Sequence, residues 1–285
     1  MRSGKERILA AGVVLLGVRL RSKLLPVIIT KATLEELYRR YNRRRYVHPD
    51  PLEFLYRYPD LLDREIAALI AASLAYGRVT QILRSVASVL DRMGQSPRDL
   101  LMKSTERRLQ AVFSGFKHRF TTDDELVSMM MGMKRVITGY GSLNECFLAG
   151  LNLKDETVLP ALAGFVSRLG CKAQYLLPSP EAGSACKRLN LFLRWMVRKD
   201  AVDPGGWQGV PRSKLIVPVD THMAKIGQAL ALTTKKSANL HMALEITNSF
   251  RRFAPNDPVK YDFALTRFGI RDDMSIDELL DRKNN

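Results

Sequence analysis

The sequence predicts a mainly α-helical fold, and three observations carry that reading. Apolar residues recur at helical spacing from about residue 33 onward. Threonine or acidic starts and glycine stops punctuate the apolar runs. Strands with clean alternation are nearly absent. At 285 residues the chain can bury a sizeable core, and 46% apolar with 26% charged residues is ordinary for a globular protein. No long tract is low in complexity, and no repeat has a solenoid period.

The elements follow in order. In "TLEELYRRYNRRR", Thr33 and Glu36 fit a capping box, which predicts a helix from Thr33. "YVHPDPLEFLYRYPD" is broken by Pro49, Pro51 and Pro59 and reads as turns around a short helix. "LLDREIAALIAASLAYGRV" is apolar nearly all round, so it predicts a buried helix, with Gly77 as its stop. "TQILRSVASVLDRMG" predicts an amphipathic helix ending at Gly94. Two short helices follow, and then "TTDDELVSMMMGMKRVITGYGSL" with its threonine and acidic start. Met129, Met130, Met131 and Met133 read as adaptable core. "TVLPALAGFVSRLGC" predicts a helix ending near Gly170.

A turn at Pro178 to Gly183 then precedes a helix in "ACKRLNLFLRWMVRKD". Leu189, Phe192, Leu193 and Met196 share one face of it, with Lys187 roughly opposite. Arg194 and Arg198 lie beside Lys187, and Leu191 and Trp195 flank that second side. A lysine on a half-covered side either snorkels or faces a cleft. "AVDPGGWQGVPRSK" is a loop, and "KLIVPVDTHMAKIGQAL" passes from an apolar run through Pro218 and Asp220 into a helix. Two further helices close the chain, with Pro258 at a first turn and Gly269 at a stop.

Charge narrows the function classes. The chain carries a net +16. Residues 1–50 hold 12 basic against 4 acidic residues, half of that total, with Arg39, Arg40, Arg43, Arg44 and Arg45 clustered. A solvated basic face and a surface for polyanions are the two readings. Residues 1–30 combine a basic head with an apolar run from Ile8 to Val18, too short to span a bilayer. They read as an extension outside the core, either free or resting on a membrane surface. Cys146, Cys171 and Cys186 are odd in number and spread apart, which fits reduced thiols in a cytoplasm. No His or Cys spacing supports a metal, and no motif calls for a cofactor.

"IVPVDTHMAKIGQALAL", "LLPSPEAGSACKRLN", "EIAALIAASLAYGRVTQILRSV" and "DPVKYDFALTRFGI" together resemble the helix-hairpin-helix DNA glycosylase superfamily, over roughly residues 34 to 270. The first resembles that superfamily's aspartate segment on the active-site cleft. The second stands in the place of the hairpin that grips the DNA backbone and carries the lyase lysine. The usual hairpin glycines are reduced in number here, and the four-cysteine iron–sulfur loop of many relatives is absent. The long interval between Lys187 and Asp220 is more similar to archaeal 8-oxoguanine DNA glycosylases.

The resemblance implies a two-lobed, glycosylase-like fold with a central cleft. One lobe would span about 65–198, the other 31–64 plus 199–285. It implies a monomeric base-excision DNA glycosylase acting on damaged duplex DNA, with AP lyase activity as a second step and oxidised purines as the lesion class. The rival is a DNA- or RNA-binding protein that keeps the fold without chemistry. Under the enzyme reading, Lys187 is the nucleophile, with Lys172 and Arg188 as substitutes, and Asp220 is the electrostatic partner or base. Asp220 is also an ordinary helix cap. Ser179, Gly183, Ser184, Arg188, Arg194 and His222 are candidates for nucleic-acid contact, against plain turn, surface or packing roles. Tyr76, Gln81 and Trp195 are candidates for a base pocket, against core or surface roles. Asp262 and Arg267 read as structural.

Overall fold

The computed structural model describes residues 29–281. Helices α1 (Lys31–Tyr41), α2 (Leu61–Ser73), α3 (Val79–Met93), α4 (Pro97–Lys103) and α5 (Glu106–Phe113) come first. A two-stranded antiparallel hairpin follows, β1 (Lys117–His118) and β2 (Thr121–Thr122). Then come α6 (Asp123–Tyr140), α7 (Leu143–Leu148), α8 (Leu159–Leu169) and α9 (Lys187–Val197). The chain closes with α10 (Thr221–Ala229), α11 (Leu240–Arg251), α12 (Asp262–Ile270) and α13 (Ile276–Asp281). The mainly helical expectation holds. Among the described residues no helix is long and apolar enough to cross a membrane.

Several boundaries differ from the sequence reading. The first helix is capped by Thr30, whose hydroxyl accepts from the Thr33 backbone N–H at 3.2 Å. Thr30 offers the same chemistry three residues earlier, and the longer helix still buries Leu34 and Leu37. Ile29 is buried as well, so the folded part begins before residue 31. The rest of the expected N-terminal extension lies outside the described residues. Helix α2 ends at Ser73, and Gly77 sits past it in a loop with φ +97°. Pro258 lies in the turn before α12, and Gly269 lies inside that helix. Its lack of a side chain serves packing: a Cβ there would lie 2.5 Å from Nδ1 of His222 on α10.

The core is continuous. Nine of the thirteen residues of α2, Glu65 to Ser73, are buried, and α2 packs against α9. Three of the four stripe methionines, Met129, Met130 and Met133, are fully buried, as a core stripe requires. Glu65 accepts from Leu143 N, Asn144 N and Trp207 Nε1, which fixes the start of α7. Burial pushes its carboxyl up to about 7, against those three donors.

Helix α9 departs most from expectation. Arg194, Trp195 and Arg198 are buried, while Lys187 and Leu191 on the same side are partly covered. Trp195 is therefore a core residue, and Arg194 is not a surface cation. Arg194 pairs with Asp203 at 3.2 Å through Nε, and its Nη1 bonds Asp262. Arg198 bonds Asp203, Asp200 at 2.9 Å and Asp257 at 3.0 Å. Two guanidiniums thus face four carboxylates. Burial works against the charge of Arg194, but Asp203, Asp262 and Asp50 outweigh it and keep the group protonated. Burial also pushes Asp262 upward, against Arg194 and with help from Asp220.

This network yields a stability prediction. Replacing Asp203 by Ala strips a shared partner from two buried guanidiniums. The expected loss is about 3–5 kcal/mol, read by equilibrium urea unfolding. A loss within 1 kcal/mol (roughly a surface-mutation effect) would show that the network does not hold these elements together.

Candidate active site

The N-terminal ends of α9 and α10 meet at a cleft. Residues of α12 line it, together with residues 49–51, 75 and 77–79. The cavity is about 400 Å³. Lys187, the first residue of α9, and Asp220, the residue before α10, both line it. Lys187 Nζ donates to Ala75 O at 3.2 Å and lies 3.9 Å from Asp220 Oδ2. Both side chains are partly covered.

Local sequence explains both placements. The apolar run 215–217 and 219 is buried and delivers the chain to Asp220. Asp220 Oδ1 then accepts from His222 N at 2.9 Å and Met223 N at 2.8 Å, the geometry of an N-cap. Oδ2 is left for the cleft. On the other side, Cys186 adopts a left-handed backbone conformation (φ +46°) that starts α9 abruptly. Its buried thiol donates to Pro178 O at 3.3 Å, and burial pushes it up to about 11, so it is inert.

A second cavity of about 630 Å³ adjoins the first and shares Ala75, Gly77, Lys187, Asp220 and His222 with it. Tyr76, Phe120 and Tyr175 line this one. Phe120 and Arg119 form the two-residue tip of the β1–β2 hairpin. The rings of Tyr76 and Phe120 are 5.2 Å apart, and those of Phe120 and Tyr175 are 4.8 Å apart. The hydroxyl of Tyr76 bonds Thr121 Oγ1, which bonds the Tyr175 hydroxyl at 3.0 Å, and that hydroxyl donates to Glu125 at 2.6 Å. Glu125 also completes the capping box of α6 with Thr122. The buried side chain of His118, at the end of β1, meets Ser85 at 2.8 Å and Tyr76 O at 3.1 Å. Burial lowers its proton affinity, which marks a structural histidine.

The structure therefore brings Lys187, Asp220, His222, Gly183, Ser184 and Tyr76 to one cleft. Arg194 lines it too, but from the buried network. Arg188 lines the second cavity with its guanidinium committed, donating to Ser73 O at 3.1 Å and to Tyr175 O. It is a tie between segments. Four candidates fall elsewhere. Ser179 caps the turn Pro180–Ala182 and faces a different cavity. Gln81 is exposed on the first turn of α3, outside both cleft cavities. Trp195 is core and lines neither. Lys172 is exposed, with its backbone N–H on Ser128 at 3.2 Å, and lines neither cavity.

Sequence reading missed Phe120, Arg119 and the cleft position of Asp262. The signal for the hairpin was faint: two strands of two residues each and no glycine or asparagine at the turn. Among the described residues, no group of three or more His, Cys, Asp or Glu has the arrangement to hold a metal ion.

The two oxygens of Asp220 allow its roles to be separated. Asparagine caps as well as aspartate, whereas alanine does not, at a cost of about 1 kcal/mol. Asp220→Asn should keep the unfolding free energy close to the parent, and Asp220→Ala should lose about 1 kcal/mol, both by urea titration. Equal losses in the two variants would contradict the cap geometry.

No curated protein and no solved structure matches the chain. A family model described as "Protein of unknown function (DUF2400)" matches residues 50–271, which include the hairpin, Lys187, Asp220 and the whole of α12. Since that match spans well over half of its length, the chain belongs to the DUF2400 family.

Proposed function

We propose that this protein is a DNA glycosylase of base-excision repair with AP lyase activity. The observation that carries the reading is Lys187 Nζ 3.9 Å from Asp220 Oδ2, both on the wall of a cavity roomy enough for one base. A damaged base swings out of the helix into that cavity. Breaking the N-glycosidic bond builds positive charge on the sugar, and the Oδ2 side of Asp220 stabilises it. The Lys187 amine, once it has given up a proton, attacks the sugar carbon and forms a Schiff base from which the strand is cleaved. Oxidised purines are the lesion class that the superfamily resemblance favours.

The electrostatic setting supports a polyanionic partner. Arg39, Arg40, Arg43, Arg44 and Arg45 are all exposed, and among the described residues none has a carboxylate within salt-bridge distance. Arg44 stacks 3.2 Å over the ring of Tyr56 and Arg45 4.9 Å from that of Tyr46, so the patch is partly preordered. This same patch favours a second reading, a nucleic-acid-binding protein without chemistry, because phosphate contacts need no catalytic pair.

Borohydride trapping separates the two. Duplexes with oxidised or abasic lesions should give a covalent adduct with the parent protein and none with Lys187→Gln. Asp220→Asn should slow base release by on the order of 100-fold. If every lesion leaves the parent protein free of adduct, the lyase reading is lost; base release is then scored separately. Under the non-catalytic reading, both variants bind DNA like the parent, with the same steep loss of affinity in salt.

A further inference from the structure

We propose that the second cavity takes an unpaired base next to the one excised, stacked on Phe120, so that the preferred substrate is DNA already open beside the lesion. This rests on the nucleic-acid reading of the cleft.

Two cavities with a common wall can take two consecutive units of one strand. Lys187, Asp220 and His222 form that wall, and each cavity is large enough for a base. Their linings differ in kind. The first has no Phe, Tyr or Trp, and its lining includes the Lys187–Asp220 pair together with Arg194, Asp262 and Arg267. The second carries three such rings, Tyr76, Phe120 and Tyr175. Stacking on rings holds any base without reading its edge. The first cavity thus suits the reacting base and the second suits an unreactive neighbour.

The hairpin tip is built for this use rather than for packing. Phe120 is 58% exposed, although burial of so large an apolar ring would stabilise the fold. Arg119 beside it sits at φ +56°, a conformation that glycine would adopt more cheaply. Glycine is not there; a cation is. The Arg119 guanidinium lies 5.9 Å from the rings of both Tyr76 and Phe120, and among the described residues no carboxylate is within salt-bridge distance. It is placed to meet the phosphate that joins the two nucleotides. The Tyr76–Thr121–Tyr175–Glu125 chain of hydrogen bonds holds the tip rigid, so little ordering remains when a base arrives. A fully paired duplex would have to break two pairs to fill both cavities, whereas open DNA has already done so.

The test uses one strand with one abasic site, presented single-stranded, in a bubble that frees its neighbour, and fully paired. Binding is read by fluorescence anisotropy and chemistry by borohydride trapping, with the full-length protein. Binding and trapping should favour both open forms by about tenfold or more. Phe120→Ala should weaken the open forms by about tenfold relative to the paired one, collapsing the preference, and Phe120→Trp should restore it. The exposed position of Phe120 keeps both variants foldable, checked by thermal unfolding. Equal handling of paired and open DNA, or a preference that survives Phe120→Ala, overturns the proposal. A preference in binding without any adduct removes the lyase chemistry and leaves this proposal standing. Binding to none of the three forms removes both.

Discussion

The buried contact of Arg194 and Arg198 with Asp203 sets the geometry on which the cleft depends. Arg194 lies on α9, Arg198 just past its end, Asp203 on the loop that leaves it, Asp257 on the turn before α12, and Asp262 at the start of α12. One set of ion pairs therefore locks the helix that carries Lys187 to α12, which lines the cleft. Helix α10 is placed against α12 as well, through the close approach of His222 to Gly269. Lys187 and Asp220 come from different helices, and each is referenced to α12. Their separation is a consequence of that shared support and needs no direct tie between α9 and α10.

The network also explains where the charge of the molecule goes. Buried ion pairs contribute little net stability against well-packed apolar groups, but removing one partner is costly. With four carboxylates around two guanidiniums, the interior here is on the acidic side, and Asp262 is pushed toward its neutral form by burial. The positive excess of the chain must then lie outside this interior. The exposed arginines from Arg39 to Arg45 hold a dense share of it; Arg40, Arg44 and Arg45 lie over tyrosine rings, and among the described residues none of the five pairs with an acid. A field of that kind acts at a distance on polyanions and is weakened by salt.

Much of the helical architecture was legible because it is written in local patterns. The stops at Gly94 and Gly170, the start at Thr122 and the cap at Asp220 depend on residues within one turn of each other. The position of Lys187 on a half-covered side of α9 was also readable from 100° spacing, and the structure leaves that side chain partly exposed at the cleft. What periodicity could not supply was the identity of the cover. Arg194 reads as a candidate for nucleic-acid contact until Asp203, on the loop that follows, and Asp262, distant in sequence, are seen to pair with it. Trp195 reads as a pocket ring or a core residue alike, and the packing decides for the core. Phe120 is the reverse case: an apolar residue that any burial rule would place inside, held outside by a hairpin too short to announce itself.

Asp220 shows why a cap and a site residue cannot be told apart by sequence. Capping needs one carboxylate oxygen, aimed at the first free N–H groups of a helix. That requirement fixes the side chain in one rotamer and turns its second oxygen away from the helix. In this fold the direction away from α10 is toward Lys187. The cap therefore does the positioning that a reacting carboxylate would otherwise need from separate neighbours, and it does so with backbone N–H groups rather than with side chains. A residue held this way has a fixed orientation before any substrate arrives. Preset orientation is the condition under which a charge is worth most to a transition state.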